Sequence, residues 1–163
     1  GIASSGLHTN GFSLVRKVFN TDNDPSVLYR RFDGLDHQLG EELLVRHRCY
    51  YPLLAPVMGL LTGLAHITGG GLPGKLPAIL PDGLAAQLSP GSWVAPPIFK
   101  LVQREGSLSD QEMFRVFNMG LGMVAVCRES QVTAVREKLG EAMVVGRVIR
   151  QSGDTQVLID GVE

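Results

Sequence analysis

The chain has 163 residues and a mass of 17.6 kDa, and with 44% hydrophobic residues it can bury the core of one domain. Its 15 basic residues are matched by 16 acidic ones with no run of like charge, which leaves no electrostatic footprint for nucleic acid or an anionic membrane surface. The most apolar stretch, 49–65, is broken by Pro52, Pro56, Gly59 and Gly63 and is too short for a spanning helix, which needs roughly 20 residues.

Cys49 and Cys127 have no CxxC spacing, so they predict buried, reduced thiols and a cytoplasmic setting rather than a disulfide framework. The chain opens on Gly1 without Met or a signal-like start, and is read as part of a longer polypeptide.

In chain order, Thr9 or Asn10 is placed to cap a helix carrying Leu14, Val15, Val18 and Phe19 on one face, with 6–11 as the loop before it. Residues 21–40 are polar and read as a surface excursion ending in a short helix near 41–45. A helix is predicted from Pro52 with Leu53, Leu54, Val57 and Met58, then a strand at 64–67 closed by three glycines, then a helix from about Pro73.

Further on, 84–88 predicts a strand and 97–105 a helix with Ile98, Leu101 and Val102 inward. Ser109 and Glu112 form a capping box that opens a helix bearing the core stripe Met113, Phe114 and Phe117. The apolar run 121–127 predicts a central strand, 129–139 an amphipathic helix through Val132, Val135 and Leu139, and 142–149 with 156–159 a closing hairpin around Ser152-Gly153-Asp154. Strands and helices alternate without a repeat, which predicts an α+β fold, a three-layer α/β/α domain with a mixed sheet occupying 1–163 as one unit.

Two segments could carry chemistry. In His66-Ile67-Thr68-Gly69-Gly70-Gly71-Leu72-Pro73 a strand runs through three glycines into a helix, an arrangement whose free N–H groups suit an anion. Lys75, one turn further, is poorly placed against the helix dipole unless an anion compensates; a plain tight connection is the other reading. Ser4-Ser5-Gly6-Leu7-His8-Thr9-Asn10-Gly11 packs hydroxyls, an imidazole and an amide into one turn, able either to hold a ligand or simply to cap a helix. His8, His37, His47 and His66 show no metal-site spacing, so no metal site is expected, and no nucleophile elbow or Cys/His pair supports covalent hydrolysis.

These two segments, together with Gly91-Ser92-Trp93-Val94-Ala95-Pro96-Pro97-Ile98-Phe99 and Phe117-Asn118-Met119-Gly120-Leu121-Gly122-Met123, resemble the aminoimidazole ribonucleotide synthetase family in order and spacing over about 1–146. The resemblance implies a carboxy-terminal domain with a partly ferredoxin-like α/β/α plan, joined in the same polypeptide to an amino-terminal domain that binds ATP and Mg²⁺ and forms a homodimer. It implies ATP-dependent closure of the imidazole ring of formylglycinamidine ribonucleotide in purine biosynthesis, in a cleft between the two domains. On this side of the cleft it implies catalytic roles for His8 and Asn10, and substrate contacts from Thr9, Gly11, His66, Thr68, Gly69, Gly70, Gly71 and Lys75.

The sequence departs from the family at Thr9 (usually Ser), Lys75 (Asn), Ala78 (Arg) and Arg46-His47-Arg48 (Pro-Thr-Arg). Alternatives are a sister ligase or kinase of the same superfamily, such as formylglycinamidine ribonucleotide synthetase, selenophosphate synthetase or thiamine monophosphate kinase, and a non-catalytic module that holds a phosphorylated ligand.

Overall fold

A computed structural model describes residues 1–162. Its strands are β1 (Ile2–Ala3), β2 (Leu61–His66), β3 (Leu84–Leu88), β4 (Leu121–Cys127), β5 (Gly146–Arg150) and β6 (Val157–Ile159). Its α-helices are α1 (Phe12–Phe19), α2 (Leu39–Leu43), α3 (Tyr51–Leu54), α4 (Gly71–Lys75), α5 (Pro97–Gly106), α6 (Asp110–Val116) and α7 (Val132–Leu139). The fold is α+β, with strands divided between an antiparallel sheet, β1-β4-β2, and a mixed sheet, β5-β3-β6.

The apolar run of β4 makes it the centre of the first sheet, with β1 and β2 antiparallel on either side. One face, through Ala65, Leu121 and Val124, packs on α4 and the second sheet; the other, through Ile2 and Met123, packs on Tyr50, Leu54, Val57 and α7. A third cluster, with Val15, Phe19, Ile98, Val102, Met113 and Phe117, joins α1, α5 and α6. The inward faces expected of α5 and α6 are thus the buried ones, and in α7 Val135 and Leu139 are buried with Val132 partly so, although Met58 in the turn after α3 is half exposed.

The chain's end differs from the predicted hairpin. β5 and β6 flank β3 on opposite sides, β5 antiparallel and β6 parallel, and do not pair with each other. The apolar alternation in each segment signals a strand without specifying its partner, and β3 offers two free edges. The start of α1 also differs: Gly11, in the left-handed region at φ 74°, is its N-cap, and neither Thr9 nor Asn10 caps it. Cys49 is exposed and Cys127 half-buried, against the expectation of two buried thiols. No helix among the described residues is long and apolar enough to cross a membrane.

The three consecutive glycines have different reasons to be glycine. Gly71 is buried at φ 60°, and a Cβ there would run into the carbonyl oxygens of Phe114 and Phe117, so it is the contact by which α4 lies against α6. Gly69 is exposed, and a methyl group in its place would meet nothing within 4 Å. Gly71→Ala is therefore expected to lower stability by more than about 2 kcal/mol, combining left-handed strain with overpacking, and Gly69→Ala by less than about 1 kcal/mol; urea unfolding of the two variants measures the difference.

Candidate functional site

Because β1 and β2 both run antiparallel to β4, their carboxy-terminal ends lie together at the amino-terminal end of β4. β1 leads into the loop 4–11, β2 ends at His66 and leads into the glycines, and β4 is entered through Asn118-Met119-Gly120. The segment 91–97 joins them: Trp93 Nε1 donates to the Met119 carbonyl at 2.8 Å, and a Cβ on Gly120 would lie 2.9 Å from the Ala95 Cα. Four segments far apart in sequence thus meet at one end of one sheet.

The Asn118 side chain, fully buried, ties the loop after β1 to the entry of β4. Its Oδ1 accepts from Ser4 Oγ (2.9 Å) and from the Gly120 N–H (2.8 Å), while its Nδ2 donates to the carbonyls of Gly6 (2.9 Å) and Leu7 (3.3 Å). The Gly6 carbonyl lies 3.0 Å from Ser4 Oγ as well, so it and Asn118 Oδ1 share the single proton of that hydroxyl. The motif around Asn118 is visible in the sequence, but this role is not.

The clamp holds His8 in the left-handed region at φ 59°, 7% exposed. Its Nε2 accepts the Ser5 N–H at 3.0 Å, and the Tyr50 hydroxyl, which donates to the Ala3 carbonyl at 3.0 Å, lies 3.3 Å away. A main-chain N–H can only donate, so the proton of the neutral His8 ring sits on Nδ1. That atom is buried without a partner, as is Asn10 Nδ2 two residues on. Gly122 in β4 makes room for this group, since a Cβ there would strike the Tyr50 hydroxyl and come 2.8 Å from His8 Cε1.

Burial, then the neighbouring His47 and His66, lowers the His8 pKa from 6.5 to about 4, so the ring is neutral at physiological pH. Burial, His47 and Lys75 lower that of His66 as well. Burial raises Tyr50 to about 12, keeping its hydroxyl protonated. His47, which sequence spacing left unassigned, lies on the irregular segment 45–50 with its ring centroid 4.2 Å from that of His8 and its Nε2 3.0 Å from His66 Nε2. The absence of metal-type spacing therefore did not mean separated histidines: His8, His47 and His66 each bring a ring nitrogen within 4.8 Å of the others.

The remaining expected residues divide. Thr9 is exposed and Gly11 packs on the Phe117 ring. Thr68 is half-buried, its carbonyl accepting the Gly71 N–H at 2.9 Å, and Gly69 and Gly70 are exposed. α4 begins at Gly71 and has five residues, so Lys75 closes the helix, where the dipole favours a cation. Its position consequently carries no argument for an anion at the other end. The cavity of about 150 Å³ between the sheets, with Leu76, Leu88, Val124, Val135 and Leu139 in its wall, is apolar and contains none of these residues.

The chain is an α+β domain that collects polar loops, with two buried and unpaired donors, at one end of a sheet. The comparisons with known proteins narrow that class. Residues 1–158 match the family described as AIR synthase related protein, C-terminal domain, and the chain belongs to that family. It is 48% identical over 161 residues to a phosphoribosylformylglycinamidine cyclo-ligase of Bacillus velezensis, covering 94% of this chain and 46% of the relative. Identity to the protein of the same name in Bacillus subtilis is 46% over 161 residues (95% and 46% covered), and in Brevibacillus brevis 43% over 169 residues (100% and 48% covered). The chain spans about half the length of the curated relatives it matches.

Two outcomes follow from this geometry. Asn118→Ala leaves the buried Gly120 N–H without a partner and takes one donor each from the Gly6 and Leu7 carbonyls, which keep the Ser4 hydroxyl and the Asn10 N–H, and is expected to cost about 1–3 kcal/mol in chemical denaturation. The lowered His8 pKa makes stability pH-dependent. The unfolded ring takes up a proton near pH 6.5 that the folded ring refuses until about pH 4, so stability is complete above 6.5 and falls as pH drops toward 4. The loss attributable to this residue is on the order of 2 kcal/mol, and His8→Gln is expected to flatten the slope of Tm against pH in that window.

Proposed function

We propose that this chain is the substrate-side portion of a phosphoribosylformylglycinamidine cyclo-ligase, which closes an imidazole ring at the expense of ATP. The observation that carries the reading is the pair of buried, unpartnered donors on one loop, His8 Nδ1–H and Asn10 Nδ2, in a chain 43–48% identical to proteins of that name. Buried polar groups are nearly always paired, and two orphans on one clamped loop fit groups whose partner is a ligand.

In the reaction, ATP activates the formyl oxygen by phosphorylation, an amidine nitrogen attacks the activated carbon, and phosphate departs. Charge develops on oxygen, and fixed neutral donors stabilise it without first having to shed water. His8, held neutral with its proton on Nδ1, acts in this reading as a hydrogen-bond donor to the reacting oxygen. It does not act as a base, since its acceptor nitrogen is occupied by Ser5. Asn10 supplies the second donor, and the exposed amides of Gly69 and Gly70 with the Thr68 hydroxyl receive the ribonucleotide phosphate.

ATP and Mg²⁺ are assigned elsewhere. The cluster of His8, His47 and His66 offers imidazole nitrogen, whereas Mg²⁺ takes oxygen ligands. The rest of the relatives' length is the natural home for ATP and its Mg²⁺, for the other wall of the cleft and for the contacts of a homodimer. A cytoplasmic location goes with that pathway.

Asn10→Ala is the test. In the full-length enzyme it is expected to lower kcat by about 10²–10³-fold while leaving Tm unchanged or slightly higher, because it removes a buried donor that has no partner in the free protein. Unchanged kcat overturns the assignment, as does a drop in Tm that accounts for the lost activity.

A further inference from the structure

We propose that His8, His47 and His66 form a binding site for one divalent transition-metal ion of the zinc type. The three rings come from the loop after β1, the irregular segment 45–50 and the last residue of β2, and one ring nitrogen from each lies within 4.8 Å of the other two. The Nε2 atoms of His47 and His66 are 3.0 Å apart. Two nitrogens bound to one tetrahedral ion at about 2.0–2.1 Å stand roughly 3.3–3.4 Å apart, so this pair needs only a small outward adjustment. His47 can supply it, being exposed and on a segment without regular structure.

The third ligand is His8. Its Nε2 is engaged by the Ser5 N–H, which leaves Nδ1, buried and unpartnered, as the nitrogen open to a new ligand. On coordination through Nδ1 the imidazole proton passes to Nε2 and is accepted by the Tyr50 oxygen 3.3 Å away, and the Ser5 N–H, now facing a donor at 3.0 Å, has to turn away and give up its bond to the ring. His8 is held by the Asn118 clamp and His66 by strand pairing opposite Met123, so two of the three ligands are positioned before any ion arrives.

The chemistry selects the ion. Three neutral imidazoles without a carboxylate suit Zn²⁺, Co²⁺ or Ni²⁺ and offer nothing to Mg²⁺ or Ca²⁺. Lys75 lies close enough to disfavour charge on His66, while Arg48 is paired with Glu141 at 2.6 Å. No protein anion in the trio neutralises the ion, so its fourth position is left for water or an anionic oxygen.

Coordination at His8 Nδ1 removes the proton that the proposed ligase reading uses as a donor, so a metal-loaded site and a site donating to substrate exclude one another, and metal binding is tested without substrate. Metal-free, full-length protein is titrated with Co²⁺ at pH 7.5 and followed by visible absorption, with far-UV circular dichroism as the check on folding. Expected are a saturable one-to-one spectrum of tetrahedral type, its bleaching by one equivalent of Zn²⁺ and no response to excess Mg²⁺. His47→Ala and His66→Ala are each expected to weaken Co²⁺ binding by more than about tenfold, and His37→Ala, outside the cluster, to leave it unchanged. A spectrum that never saturates, one that persists in His47→Ala, or a thiolate charge-transfer band pointing to Cys49 overturns the three-histidine site.

Discussion

One buried amide fixes the loop after β1 against the entry to β4. Asn118 uses two acceptor and two donor positions on four groups of the segments 4–7 and 118–120, which is the full capacity of that side chain. A loop as rich in glycine and hydroxyls as 4–11 has little intrinsic shape, because no apolar stripe or regular ladder restrains it. Fixing the carbonyls of Gly6 and Leu7 from below decides the path of the next residues, and His8 then occupies a left-handed conformation that costs a histidine energy on its own. The satisfied network offsets that strain, and the same anchoring delivers two donors, His8 Nδ1 and Asn10 Nδ2, with nothing to bond.

Much of the frame was legible because it is written in local patterns. The run 84–88 predicts β3 to the residue, 121–127 predicts β4, and the periodic apolar positions of α5 and α6 are the buried ones. What failed was relational. The last two strands read as a hairpin since each has an alternating face, yet their partner is β3, and nothing within either segment encodes that choice. The start of α1 misled for a similar reason: Asn10 looks like a cap by residue type, but its side chain is drawn into the site and Gly11, pressed against Phe117, takes the cap position.

The candidate site was legible in part. Glycine, histidine and asparagine motifs located the two loops that the sheet brings together, but the histidine cluster was invisible, because its members belong to three separate elements and metal-type spacing applies only within one. Nor does a row of glycines declare which member serves which purpose. Gly71 is required by the close approach of α4 to the carbonyl ends of Phe114 and Phe117, whereas Gly69 and Gly70 face solvent with space around them. A motif that looks uniform therefore mixes a packing constraint with an open surface, and only the second is available to a ligand.

The neutrality of His8 links the site's stability to its chemistry. A charged imidazolium here would have to be desolvated beside two further imidazoles, and the fold avoids that cost by depressing the pKa. Such a ring cannot serve as a strong base, and its acceptor nitrogen is already spoken for by Ser5. What remains is a rigid neutral donor, a group suited to meeting negative charge as it forms on an oxygen and poorly suited to binding a full anion in the resting state. The glycine amides have the opposite character, since Gly69 and Gly70 are open to solvent. The two kinds of donor, one buried and neutral and the other open to solvent, lie at one end of one sheet.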